Sequence, residues 1–108
     1  MAMVSVRNDH AGRLLLWLEP LGEDRWLRPD ETFHIATDYH GDESAFSVVS
    51  WADEAYRADG IEQMAVWVEH GDFYATVTDS AGNSIECGHN RPVEIHRRWI
   101  AERRMSLP

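Results

Sequence analysis

The run Leu14-Leu15-Leu16-Trp17-Leu18-Glu19-Pro20-Leu21-Gly22-Glu23-Asp24-Arg25-Trp26-Leu27-Arg28-Pro29 decides the fold. Its first part is too short for a long helix and has the side-chain types of a strand. Period two places Leu14, Leu16 and Leu18 on one face and Leu15, Trp17 and Glu19 on the other. Both faces are apolar until Glu19, so this strand needs cover on both sides. Pro20 and Gly22 predict a tight turn. Trp26 and Leu27 then point to opposite faces of a return strand, which Pro29-Asp30 closes.

Alternation continues downstream. Phe33, Ile35 and Tyr39 share a face with Thr37 between them, while Thr32, His34, Ala36 and Asp38 take the other. Upstream, Met3 to Arg7 predicts a short edge strand before the turn cluster Asn8-Asp9-His10-Ala11-Gly12. Ala45 to Trp51 forms another strand, with Phe46 and Val48 opposed to Val49 and Trp51. The acidic stretch from Ala52 to Gly60 predicts a loop with at most one helical turn. Ile61 to Glu69 is a second strand apolar on both faces. His70-Gly71-Asp72 predicts a hairpin into the strand Phe73 to Thr78, and Asp79 to Asn83 a hairpin into a short strand at Ser84 to Cys87.

The pattern changes after Asn90-Arg91-Pro92, a good helix start. Val93, Ile95, Trp99 and Ile100 fall on one broad arc at helical spacing. Arg103 and Arg104 then sit in the last turn, where the helix dipole favours cations. The sequence thus predicts one domain over 1–108. It is an all-β antiparallel sandwich or partly open barrel of about seven short strands within 3–88, with one C-terminal helix over about 92–104. That helix is the natural cover for the second face of Leu14–Leu18, from the same chain or a neighbour.

The segment from residues 14 to 36 also resembles a pattern in small uncharacterised proteins of actinomycetes and related bacteria. Leu18-Glu19-Pro20-Leu21-Gly22-Glu23-Asp24, the Leu27-Arg28-Pro29 turn and the Phe33-His34-Ile35 strand carry the resemblance. It implies a compact β domain and brings no activity and no catalytic residue. The pattern has glycine after its second proline; Asp30 stands there instead and puts a glycine-requiring turn in doubt.

Composition bounds the partners. The 108 residues carry a net charge of −9, with no lysine. Residues 1–88 hold 17 acidic side chains against five arginines, and the remainder is basic. An acidic body repels phosphate backbones, which argues against nucleic acid. No apolar run approaches a membrane span of about 20 residues or a signal segment. With Cys87 alone, no intrachain disulfide forms. The expectation is a soluble cytoplasmic protein without a membrane partner.

Motifs for chemistry are missing. His34 and His40 lie six apart among Asp38, Asp42 and Glu43, but without a metal-ligand spacing. They read as part of a solvated turn, and neither metal nor cofactor is expected. Cys87 precedes Gly88-His89, yet strand geometry turns the thiol away from its neighbours, and a lone cysteine is usually a packing residue. Glu19 and Glu23 flank the corner beside Asp24; Glu19 extends the Trp17 face and is the one place for a perturbed carboxylate. Five tryptophans in so small a chain exceed what one core face requires, so an exposed aromatic patch is expected.

The candidate ligand or partner residues are therefore Trp17, Glu19, Glu23, Trp26 and His34, and no catalytic residue is named. The favoured expectation is a non-catalytic binding or accessory module for a protein or peptide partner. One alternative is a small β-barrel enzyme or small-molecule carrier with a Trp-lined pocket. The other is a self-associating structural protein, a homodimer through the basic C-terminal helix.

Overall fold

A computed structural model describes residues 1–71 and 75–102. The expected hairpin residue Asp72, the strand start at Phe73-Tyr74 and the helix end at Arg103-Arg104 lie outside the described residues. Among the described residues, no helix is long and apolar enough to cross a membrane.

Among the described residues seven strands form two sheets. They are β1 (Ala2–Arg7), β2 (Arg13–Glu19), β3 (Glu23–Leu27), β4 (Thr32–Thr37), β5 (Phe46–Trp51), β6 (Ile61–Val68) and β7 (Thr76–Asp79). One sheet has the order β1-β4-β7 and the other β3-β2-β6-β5, so the molecule is an all-β sandwich rather than a closed barrel. Two helices accompany it among the described residues: α1 (Glu54–Ala58) and α2 (Val93–Ala101). The single turn allowed at 52–60 is α1, started by Asp53, whose carboxylate accepts from the amides of Ala55 and Tyr56.

Three details differ from the sequence expectation. β2 pairs with β3 in the expected hairpin, but its other neighbour, β6, runs parallel to it, with Leu16 opposite Met64. β6 and β7 belong to different sheets, so they are not hairpin partners. Alternation assigns faces but not neighbours. The return strand at 84–87 shrinks to one bridge, Thr78 to Ser84, although the Asp79–Asn83 turn is formed.

The doubly apolar β2 is covered as its pattern demands. Leu14, Leu16 and Leu18 join Leu27, Phe33, Ile35, Val66 and Val77 in the core between the sheets. Leu15, on the other face, lies in a second core with Trp26, Tyr56, Ile61, Ile95 and Trp99. Ile95 and Trp99 come from α2, so the same chain supplies the cover. Each large apolar side chain so buried contributes roughly 1.5–3 kcal/mol.

The turn after Pro29 forms without glycine. Asp30 adopts φ 68°, a left-handed conformation that aspartate tolerates better than most residues. Its amide donates to the carbonyl of Asn8, and its carboxylate meets Arg7 at 3.1 Å. Asn8 is fully buried and ties this corner together, its side-chain amide donating to the carbonyls of Gly12 and Leu27.

Candidate functional site

The five residues singled out by sequence do not converge. Trp26 lies beneath α2, fully buried. Glu23 is ion-paired with Arg25 at 3.0 Å. His34 stands on the outer face of the three-stranded sheet, its Nδ1 2.7 Å from the Ser5 hydroxyl. Only Trp17 and Glu19 meet, at a groove on the helix-bearing face of the other sheet.

The strongest electrostatic feature is a neighbour of the predicted carboxylates. Asp24 is buried and faces Arg91, whose Nη2 and Nε reach its two oxygens, the Nε bond at 2.8 Å. The Trp26 indole also donates to Asp24 at 2.8 Å. Burial alone would push the Asp24 carboxyl up; the hydrogen bonds from Arg91 and Trp26, with the Arg91 charge, outweigh it and hold the group below its ordinary value. Arg91 continues to His96 Nδ1 at 3.0 Å and lies over Trp99, 5.3 Å from the ring centroid. Gly88 donates to the Asp24 carbonyl, and the Trp26 amide donates to that of His89. Together these contacts anchor the chain that leads into α2 on β3. The bonds that Arg91 and Trp26 give to Asp24 hold structure.

Cys87 touches the same cluster, 3.8 Å from Asp24. Desolvation, aided by the negative charges of Asp24 and Glu23, pushes its thiol up, the opposite of an activated nucleophile. The His89 ring packs edge-on against Phe33. Among the described residues, no group of three or more histidine, cysteine or carboxylate side chains could hold a metal ion.

A cavity of about 580 Å³ opens beside Ala36, Thr37, Ala75 and Thr76 at one end of the three-stranded sheet. No tryptophan lines it, so the Trp-lined pocket of the carrier reading is not found there.

What the sheets leave uncovered is more informative. Cross-strand register puts Trp51, Val49, Ala65, Trp67, Trp17 and Leu15 on one face of the four-stranded sheet. The helices cover the half near β3. Trp51 and Trp67 on the remaining half stay 39% and 41% exposed. Among the described residues β5 has one strand neighbour, and its valines are exposed on both faces, Val48 by 49% and Val49 by 48%.

The backbone polarity of β5 follows from one bond. The Glu69 amide donates to the Ala45 carbonyl, so odd-numbered residues of β5 turn their peptide groups to β6. Those of Phe46, Val48 and Ser50 therefore point outward, because antiparallel pairs alternate. The Ser44 hydroxyl caps the Phe46 carbonyl at 2.7 Å. The outward groups of Val48 and Ser50 have no partner among the described residues. The other margins of the sandwich differ. His89 bridges to β3 and Ser84 to β7, while β1 ends in Arg7, which pairs with Asp9 and Asp30.

Sequence reasoning placed the β5 faces correctly but did not single out Trp51, Gln63 or Asp53. The available signal was an uncharged strand, Phe46-Ser47-Val48-Val49-Ser50-Trp51, between the acidic turns Asp42-Glu43 and Asp53-Glu54.

Compared with protein-family models, with curated proteins and with solved structures, the chain matches none.

Proposed function

We propose that this protein is a non-catalytic binding module that takes an extended peptide of a partner protein as an added strand on β5. The observation that carries the reading is the uncharged edge of β5, where the outward peptide groups of Val48 and Ser50 meet no partner among the described residues. Natural sheets usually blunt such an edge with charge, proline or a covering segment. An edge left open is a template for strand addition, in which main-chain bonds supply affinity and flanking pockets supply choice.

Charge favours a foreign peptide over a second copy. In an antiparallel self-pairing, Asp42-Glu43 of one copy would approach Asp53-Glu54 of the other. The like charges repel, as the net charge of −9 also does at longer range. A partner strand with apolar residues and basic ends meets no such penalty. Dimerisation through α2 has less to offer, since Ile95 and Trp99 are buried within the chain and Arg98 pairs with Asp59.

The test is selection from a random peptide library displayed on phage, followed by titration of the synthesised peptides. Val48→Pro removes an outward N–H and leaves the bonds to β6 in place, a position where edge strands accept proline. Peptides that bind the folded wild type and lose at least about tenfold affinity for Val48→Pro, equivalent to 1.4 kcal/mol, support the reading. Unchanged affinity overturns it. A dimer in sedimentation that Val48→Pro dissolves would make the occupant a second copy and overturn it too.

A further inference from the structure

We infer that the added strand is chosen by one large apolar side chain, aromatic for preference, level with Val49 on the tryptophan-bearing face of the sheet. The inference deepens the strand-addition reading and rests on it. It names what the partner strand carries, which main-chain bonds alone leave open.

Register fixes which side of the added strand is read. Side chains level with one another across a ladder share a face. Val49 is level with Ala65 and Trp17, Trp51 with Gln63 and Leu15, and Ser47 with Trp67 and Glu19. A residue added beside Val49 therefore continues the row Trp17-Ala65-Val49, between the row that holds Trp51 and the row that holds Trp67. Because Val48 and Ser50 carry the outward peptide groups, antiparallel addition places Val49 in a pair without main-chain bonds. Cα atoms in such a pair lie about 4.5 Å apart, and their side chains approach most closely.

The two faces of β5 are unequal. Val49 has an exposed tryptophan in each adjacent row, Trp51 and Trp67. Val48 is as exposed as Val49, but on its face Phe46 and Met64 pack against the core between the sheets, and Ser50 is polar. An aromatic ring set against Val49 gains a β-branched cross-strand neighbour and the flanks of two indoles. The same ring turned toward Val48 gains the valine without the indoles.

Charge selects in the same direction. β5 is itself uncharged, and carboxylates stand around it: Asp42-Glu43 before it, Asp53-Glu54 after it, Glu69 accepting from the Ser47 hydroxyl at 2.6 Å, and Glu19 level with Trp67. An aspartate or glutamate level with Val49 would lose water among like charges, so it is rejected there. The acidic turns also oppose a second copy of β5, so the occupant is a segment of a different protein.

The probe is the tightest peptide from the phage selection, synthesised with each position in turn replaced by alanine and by aspartate, and titrated into the full chain. One position should lose at least about fivefold affinity on replacement by alanine, and more on replacement by aspartate. In the complex, protons of that side chain should show nuclear Overhauser contacts to the Val49 methyl groups. Val49→Ser, a change at an exposed position, should shrink the alanine penalty there. A peptide that loses affinity for Val48→Pro but has a flat alanine scan, or that directs its largest side chain to the Val48 methyl groups, overturns the inference and leaves strand addition standing. A selection that yields no peptide, or one indifferent to Val48→Pro, overturns strand addition itself and the inference with it.

Discussion

Trp17 of β2 and Trp99 of α2 stack with ring centroids 5.4 Å apart and an interplanar angle of 27°. This pair marks the line where the covered half of the sheet face ends and the open half begins. Trp99 belongs to the buried side, tilted against Trp26 and donating its indole N–H to the Tyr56 hydroxyl at 3.0 Å. Trp17 belongs to both sides, because it also forms a wall of the open groove.

Trp99 is therefore expected to dominate the second core. Trp99→Ala should lower stability by about 3–5 kcal/mol, the usual cost of emptying a buried indole site. Trp99→Phe keeps most of the ring contact but strands the Tyr56 hydroxyl, and should cost about 1–2 kcal/mol more than a pure size change. Urea unfolding of both variants checks the order. Equal midpoints for Trp99→Ala and wild type would show that α2 contributes little.

Asp24 and Arg91 lie 67 residues apart in sequence and fasten α2 to β3. Removing one charge leaves the other buried without compensation, so Asp24→Asn should destabilise by about 3–5 kcal/mol near pH 7. The Asp24 carboxyl is held below its ordinary value when folded. Its contribution is therefore present in full above the unfolded pKa of about 3.9 and disappears as pH falls through the lower folded value. Urea midpoints between pH 2.5 and 7 should show the gap between wild type and Asp24→Asn narrowing toward the acid end. A gap independent of pH would assign the effect to packing rather than to the charge.

Gly12 and Gly60 meet where β1 turns into β2, and they differ in what constrains them. A Cβ on Gly12 would stand 2.0 Å from the Gly60 carbonyl oxygen, which accepts the Arg13 amide. Gly12→Ala must push backbone apart and should cost about 1–3 kcal/mol. Gly60 has open space around it but φ +75°, so Gly60→Ala should cost about 1 kcal/mol from conformation alone. Thermal unfolding of the two variants should rank Gly12→Ala lower. The reverse order would mean that the β1–β2 corner yields easily.

Much of this architecture is legible in local pattern. The two faces of Leu14–Leu18, the need for a helix over the second face and the split of Trp26 from Leu27 all follow from period two. The parallel pairing of β2 with β6 is not legible, because the faces of both strands are the same whichever neighbour they take. In sequence Asp24 looks no different from Glu19 and Glu23, because its partner lies on a distant loop. The edge position of β5 is hidden in sequence for a related reason. Val48 and Val49 look like core residues in sequence, and only the sheet order reveals that, among the described residues, β6 is the one strand beside them.

Amide hydrogen exchange at β5 measures the central claim most directly. The Val48 and Ser50 amides point away from β6 and should exchange fast in the free protein, whereas those of Ser47 and Val49 should be slow. Saturation with a selected peptide should slow Val48 and Ser50 by at least about tenfold, the equivalent of one modest main-chain hydrogen bond. If the peptide binds and these two amides keep exchanging at the free rate, it does not add a strand to β5, and the proposed mode of recognition is wrong.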